Sequence, residues 1–256
     1  MKAPSLFVSH GAPTFALAPD LLGEKLRKIG ASLNHIKAIL VVSPHWQTEH
    51  IEVLANFQPE TIHDFYGFPS ELYTLQYPVN GHIEFANSVL RLFADEGIRA
   101  SLNHDRGLDH GAWVPLLHML PNADIPVFQV SMPYSLNAAS AYKLGQLLAP
   151  MREQGVLILG SGGITHNLSD LRHQAKVLPY VNQFAQWIRN AMIANNIDLL
   201  LAYREHAPNA SQAHPTDEHL LPLFVALGAS TPDEQLKVIE GGITYGILSM
   251  DAYMWQ

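Results

Sequence analysis

The stretch Lys37-Ala38-Ile39-Leu40-Val41-Val42-Ser43-Pro44-His45-Trp46 decides the fold. Ile39, Leu40, Val41 and Val42 form an unbroken apolar run, mostly β-branched, between a lysine and a Ser-Pro stop. A run this short, with that composition and a turn signal at its end, is the pattern of a buried strand. On either side the chain alternates. Leu6-Phe7-Val8 reads as a strand, and residues 21–29 carry apolar side chains at helical spacing. Residues 51–54 form a further strand, and residues 83–93 a helix with Ile83, Ala86, Leu90 and Phe93 on one side. Residues 127–130 read as a strand and 138–148 as a helix. Residues 156–159 read as a strand that enters a glycine-rich turn at 160–163. Residues 180–193 give the strongest helix, with Tyr180, Phe184, Trp187, Ile188 and Ala191 on one face. Residues 220–227 form another helix, with Thr216 as its N-cap and Asp217 and Glu218 in its first turn, where the dipole favours acids. Residues 243–249 supply a closing strand. Strands alternating with helices predict an α/β fold: a sandwich with a central, mostly parallel or mixed sheet flanked by helices.

The composition narrows the function. The chain has 256 residues, 48% hydrophobic and only 15% charged, which is too apolar for disorder. It holds 15 Lys and Arg against 23 Asp and Glu, a net charge of −8. That surplus argues against nucleic acid as the main partner, because phosphate binding needs clustered cations. No apolar stretch approaches the roughly 20 residues that span a bilayer, so no membrane partner is expected. The absence of cysteine excludes disulfides, thiolate nucleophiles and cysteine-ligated zinc or iron–sulfur centres. The apolar run after Met1-Lys2 reaches Ser9-His10 too soon for a secretory signal, so a cytoplasmic protein is expected. No linker or repeat divides residues 1–256, which are expected to form one domain.

The 14 histidines carry the functional signal. His10 follows the run at Leu6, His45 the run at Ile39, and His166 the run at Val156. Three strands thus deliver a histidine just past their C-terminal ends, the edge at which open α/β sheets bind ligands. Imidazole suits zinc, iron, copper and nickel. One such histidine alone reads equally well as a surface or capping residue; three in equivalent places point to a metal. His219, just before a helix, is a fourth candidate, although ordinary helix-start chemistry also explains it. His110 lies in Asp109-His110-Gly111-Ala112-Trp113, where the glycine allows close backbone approach and Asp109 is a candidate to orient an imidazole. His63 lies in an aromatic loop that either lines a pocket or packs on the surface. The histidines at 35, 50, 82, 104, 118, 173, 206 and 214 read as solvated or packing residues. Ser161 lacks the spacing of a nucleophile elbow, and no Walker loop, dinucleotide fingerprint or zincin helix is present.

Seven short motifs occur in order along the chain. They are Ser9-His10-Gly11-Ala12-Pro13, Ser43-Pro44-His45-Trp46, Thr61-Ile62-His63-Asp64-Phe65, Asp109-His110-Gly111-Ala112-Trp113, Ser161-Gly162 with His166-Asn167-Leu168, Pro215-Thr216 with Glu218-His219, and Gly246-Ile247-Leu248-Ser249-Met250. Together they resemble the class III extradiol ring-cleavage dioxygenases, in the branch of DOPA 4,5-dioxygenase-like proteins.

The resemblance implies one divalent metal per chain. His10 and His45 are its implied ligands and His219 a further one. His166 is implied as an additional ligand or as the acid/base, and His110 as a histidine facing substrate and oxygen. The broader class completes its site with a glutamate, for which Glu218 and Glu240 are the candidates. Fe(II) is expected for turnover, whereas an all-histidine set also suits zinc. The implied partners are a catechol, DOPA-like, and molecular oxygen, with Phe65, Tyr66, Phe68 and Trp46 as walls for the ring. Two alternatives use the same histidines: a zinc-dependent hydrolase with Glu218 or His166 as base, and a metal-binding adaptor without turnover.

Overall fold

The computed structural model describes residues 2–171 and 176–256; His173 lies outside them. The strands are β1 (Ser5–Ser9), β2 (Ala38–Val42), β3 (Gln47–Thr48), β4 (Ile51–Leu54), β5 (Ala100–Asn103), β6 (Val127–Gln129), β7 (Met132–Pro133), β8 (Val156–Gly162), β9 (Leu236–Ile239), β10 (Ile243–Thr244), β11 (Leu248–Ser249) and β12 (Ala252–Trp255). The helices are α1 (Asp20–Gly30), α2 (Ile83–Asp95), α3 (His110–Met119), α4 (Ala138–Leu148), α5 (Pro150–Glu153), α6 (Pro179–Ile193), α7 (Ile197–Leu201), α8 (Tyr203–His206), α9 (Ala210–Ala213) and α10 (Leu221–Gly228).

Six strands form the central sheet in the order β6-β2-β8-β1-β12-β9. The four from β6 to β1 are parallel, and β12 runs antiparallel to both β1 and β9. The sheet is therefore mixed, with helices packed against it, as the alternation predicts. Every residue of β1, β2 and β8 is buried, which is why these strands read as continuous apolar runs rather than alternating ones. The parallel register also aligns the C-terminal ends of β1, β2 and β8 at one edge.

Some elements differ from the sequence reading. Residues 160–162 do not turn; they extend β8 to Gly162. The expected closing strand is only a short hairpin of β10 and β11, and β12 closes the sheet instead. β4 pairs with β5 in a separate two-stranded sheet. On α2 the buried stripe is Ala86, Val89 and Phe93, with Ile83 exposed. α10 begins at Leu221 with Pro222 in its first turn, so Thr216 does not cap it and Asp217 and Glu218 precede it. α3 has no hydrophobic stripe for a sequence reader to see, because nearly its whole surface is buried.

Glycines let α10 seat closely. A β-carbon at Gly160 would collide with the carbonyl of Pro222, and one at Gly162 with the carbonyl of His219. β8 therefore passes under the start of α10 without side chains, which brings the segment ahead of that helix to the functional edge of the sheet. Among the described residues no helix is long and apolar enough to cross a membrane.

Candidate metal centre

Each predicted histidine arrives at the same edge by a different route. His10 is the residue after β1, and Gly11 turns the chain away behind it with φ +66°, a conformation that favours glycine. His45 lies in the loop after β2. His110 is the first residue of α3, whose N-cap is Asp109. His166 and His219 lie in the segments after β8 and before α10.

The loops are tied together by Asp109, which is fully buried. Its carboxylate accepts from the Ala112 backbone N–H, the Ser43 hydroxyl at 2.7 Å and Gln129 Nε2 at 2.9 Å. Arg106 donates to Asp109 and, at 2.9 Å, to the His45 carbonyl. Asp109 thus anchors three elements and does not orient an imidazole. Gly111 allows close approach to protein rather than to ligand, since a β-carbon there would meet Ser43 and His45.

The rings gather in two groups. Donor atoms of His10, His45 and His110 lie within 4.8 Å of one another, and so do those of His166, Glu218 and His219. The groups adjoin: the His219 ring centroid is 5.6 Å from that of His10 and 5.2 Å from that of His45. His166 stacks on His219 at 3.4 Å with only 7° between planes. The structure therefore brings all five histidines together. His63 stands apart, bonded to the Leu75 carbonyl at 3.0 Å and packed among Phe65, Tyr73 and Trp113. Glu240 also stands apart, mostly exposed and paired with Arg189. Glu218 lies against His219.

Acceptors stand behind the rings. Glu218 Oε1 is 3.0 Å from His219 Nδ1, and Asp64 Oδ2 is 3.5 Å from His45 Nδ1. Ser161 Oγ is 3.0 Å from His10 Nδ1. A carboxylate only accepts, so Glu218 holds the His219 proton on Nδ1 and leaves its Nε2 bare, and the charge of Asp64 favours the same tautomer at His45. His219 Nε2 is buried with no partner, and His45 Nε2 faces His10 Nε2 at 3.2 Å. Buried, unpartnered lone pairs carry a free-energy cost that a cation removes. The donor set fits a divalent metal of borderline softness.

Electrostatics agree. Burial holds His10 and His219 well below the ordinary imidazole range, and the neighbouring histidines push them further. Burial, then His110, lowers His45; burial likewise lowers His166. These imidazoles are neutral at physiological pH, the form that ligates. Burial alone would raise Asp64, but its hydrogen bond with His110 and the charges of His110 and His45 bring it down to about 2.

A cavity of 560 Å³ opens over the cluster, in the range of small-molecule sites. His10, His45, Asp64, His110, His166 and His219 form its polar end; Phe65, Phe68, Leu168, Leu171, Tyr245 and Leu248 line the rest. Tyr66 stands on its rim, 90% exposed. Trp46 is not a wall: it is buried with Arg106 stacked over it. The sequence reading missed Leu168, Leu171, Tyr245 and Leu248 because isolated apolar residues in loops carry no periodic signal. It passed over Asp64 in favour of the adjacent His63.

Comparison with known proteins identifies the family. Residues 12–250 match the family described as the catalytic LigB subunit of aromatic ring-opening dioxygenase. The chain is 40% identical to a 4,5-DOPA dioxygenase extradiol of Beta vulgaris, over 97% of this chain and 95% of that one. It is 36% identical to a protein of the same description from Escherichia coli K12, over 97% and 93%. A crystal structure of an uncharacterized Escherichia coli K12 protein superposes with a TM-score of 0.81 at 30% identity, covering 99% of both chains. The family match over nearly the full length, and the relatives at this identity, show that the chain belongs to the LigB family of class III extradiol ring-opening dioxygenases.

Proposed function

We propose that this protein opens a catechol ring, DOPA-like, with molecular oxygen at an Fe(II) ion held by its histidine cluster. The observation that carries the reading is the buried, unpartnered Nε2 of His219, on a ring 5.6 Å and 5.2 Å from those of His10 and His45, whose Nε2 atoms face each other at the floor of an aromatic-walled cavity. His10, His45 and His219 would hold the metal, with His166 at their margin left free to act as a base. Fe(II) there would supply Lewis acidity toward the diol and redox chemistry toward oxygen, whereas zinc has no redox chemistry to offer.

The chain's own groups do the rest. Phe65 and Phe68 close one side of the cavity and set the plane of the ring. His166 is neutral and only partly buried, so it can take a hydroxyl proton as the diol binds. His110, next to the Asp64 carboxylate, returns a proton to the departing oxygen as general acid. Leu248, buried, gives the reacting face an apolar wall, with Leu168 and Leu171 at its exposed rim.

The test is oxygen uptake with DOPA by protein loaded anaerobically with Fe(II), beside a zinc-loaded sample and His45→Ala. Uptake with iron only, lost in His45→Ala, supports the reading. Full uptake by His45→Ala refutes the ligand assignment. Turnover that persists without oxygen would establish the hydrolase alternative instead.

A further inference from the structure

We propose that Pro115, acting through the Gly111 carbonyl and Ser161, locks His10 in the one tautomer that can ligate a metal. The inference rests on the metal site proposed above and adds residues that never touch the metal.

In a regular helix the N–H of residue 115 would bond the carbonyl of residue 111, four residues earlier. Residue 115 of α3 is a proline and has no N–H to give. The Gly111 carbonyl is buried in the first turn, so it needs a donor from outside the helix. Ser161 supplies it: its hydroxyl, fully buried in β8, donates to Gly111 O. A hydroxyl has one proton. With that proton committed to Gly111, Ser161 can only accept at its second contact, 3.0 Å away at His10 Nδ1. His10 must therefore carry its proton on Nδ1, which leaves Nε2 bare and facing the cluster.

The reverse arrangement is disfavoured by the same groups. If Ser161 donated to His10 Nδ1, the Gly111 carbonyl would be stranded and the His10 proton would move to Nε2. That proton would be donated to His45 Nε2, 3.2 Å away, and would occupy both nitrogens that a metal needs. His45 and His219 have carboxylates behind Nδ1, Asp64 and Glu218, which fix their tautomers by charge. His10 has no carboxylate behind it. A proline in α3, a helix packed against β8, sets its proton instead.

The experiment measures tautomer and metal affinity separately. In the full-length apo protein, nitrogen-15 NMR of His10 reports which ring nitrogen bears hydrogen. The expected result is hydrogen on Nδ1; hydrogen on Nε2 in the unmutated chain overturns the proposal without any variant. Zinc affinity is then measured by competition with a chromophoric chelator for the parent chain, Ser161→Ala and His10→Ala. Circular dichroism confirms that each is folded. Ser161→Ala should mix the two tautomers and weaken zinc binding by about 10–100-fold. His10→Ala should lose zinc further. If His10→Ala loses zinc while folded Ser161→Ala binds within twofold of the parent, the relay is refuted and the metal site stands. If His10→Ala keeps parental affinity, the metal site itself is refuted, and the relay with it.

Discussion

Asp64→Asn should weaken metal binding while leaving most of the proton chemistry in place, and the geometry says why. The Asp64 carboxylate faces two rings: Oδ1 is 3.0 Å from His110 Nδ1, and Oδ2 is 3.5 Å from His45 Nδ1. Oδ1 also accepts the His110 backbone N–H at 2.9 Å. An asparagine must therefore keep its oxygen at the Oδ1 position, because an amide NH₂ cannot face a backbone N–H. Its NH₂ then replaces Oδ2 and confronts His45 Nδ1. To meet a donor there, His45 must bare Nδ1 and move its proton to Nε2, the nitrogen that would hold the metal. Replacing the acceptor behind a ligating histidine weakens metal binding by about 10–100-fold, or about 1.4–2.7 kcal/mol. His110 keeps an acceptor, so kcat at saturating Fe(II) should stay within a few-fold of the parent. Chelator competition gives the affinity, and oxygen uptake across an iron titration separates it from kcat. Parental affinity with a collapsed kcat would show that the carboxylate serves His110 alone, and the reasoning about His45 would be wrong.

Three other perturbations follow from the same structure. Glu234→Gln breaks a bidentate pair with Arg152, a fully buried guanidinium that also donates to the carbonyls of Ala3 and Ala229. It should cost about 3–5 kcal/mol in urea denaturation, and an unchanged midpoint would show the pair to be dispensable. Gly162→Ala places a methyl against the His219 carbonyl and must push that segment away from β8. Metal affinity should fall with little change in secondary structure, and retained affinity would mean that His219 is not a ligand. His214 is fully buried, bonded to the Ile164 carbonyl, and held down to about 4 chiefly by burial. The unfolded chain takes up that proton near the ordinary value of about 6.5, so the stabilisation is complete above that pH and is lost as pH falls toward 4. Between pH 7 and pH 5 this amounts to about 2 kcal/mol. Denaturation of His214→Gln should be less pH-dependent by that amount, and an identical pH profile would rule out His214 as the group responsible.

The parts of the molecule that were readable from sequence share one physical property. β1, β2 and β8 are buried on both faces, so burial writes them as apolar runs, and the histidines at their ends could be placed on one edge. α6 was readable because one of its faces is solvated. α3 was not, because burial on nearly all sides erases the period and Pro115 argues against a helix. β5, with every residue half-buried, has neither a run nor an alternation to detect. The site divides in the same way. A histidine announces its chemistry wherever it stands, so the five could be named. The acceptors behind them could not be assigned, because nothing in the order of residues says that Ser161 will meet Gly111 or that Asp64, rather than Asp109, will face His45.

The sheet order has a consequence for how activity first appears in a newly made chain. β1, which carries His10, sits between β8 and β12, partners about 150 and 250 positions away along the chain. Contacts of that separation form slowly, because the intervening chain must be gathered before they contribute any stability. His219 likewise reaches the centre only when α10 has settled on the glycines of β8. On the proposed ligand set, a chain in which α10 has not yet settled lacks the His219 imidazole and would grip a metal weakly. Bound metal is therefore a reporter of completed folding. On that ligand set, a metal would be held only after the walls of the cavity are in place.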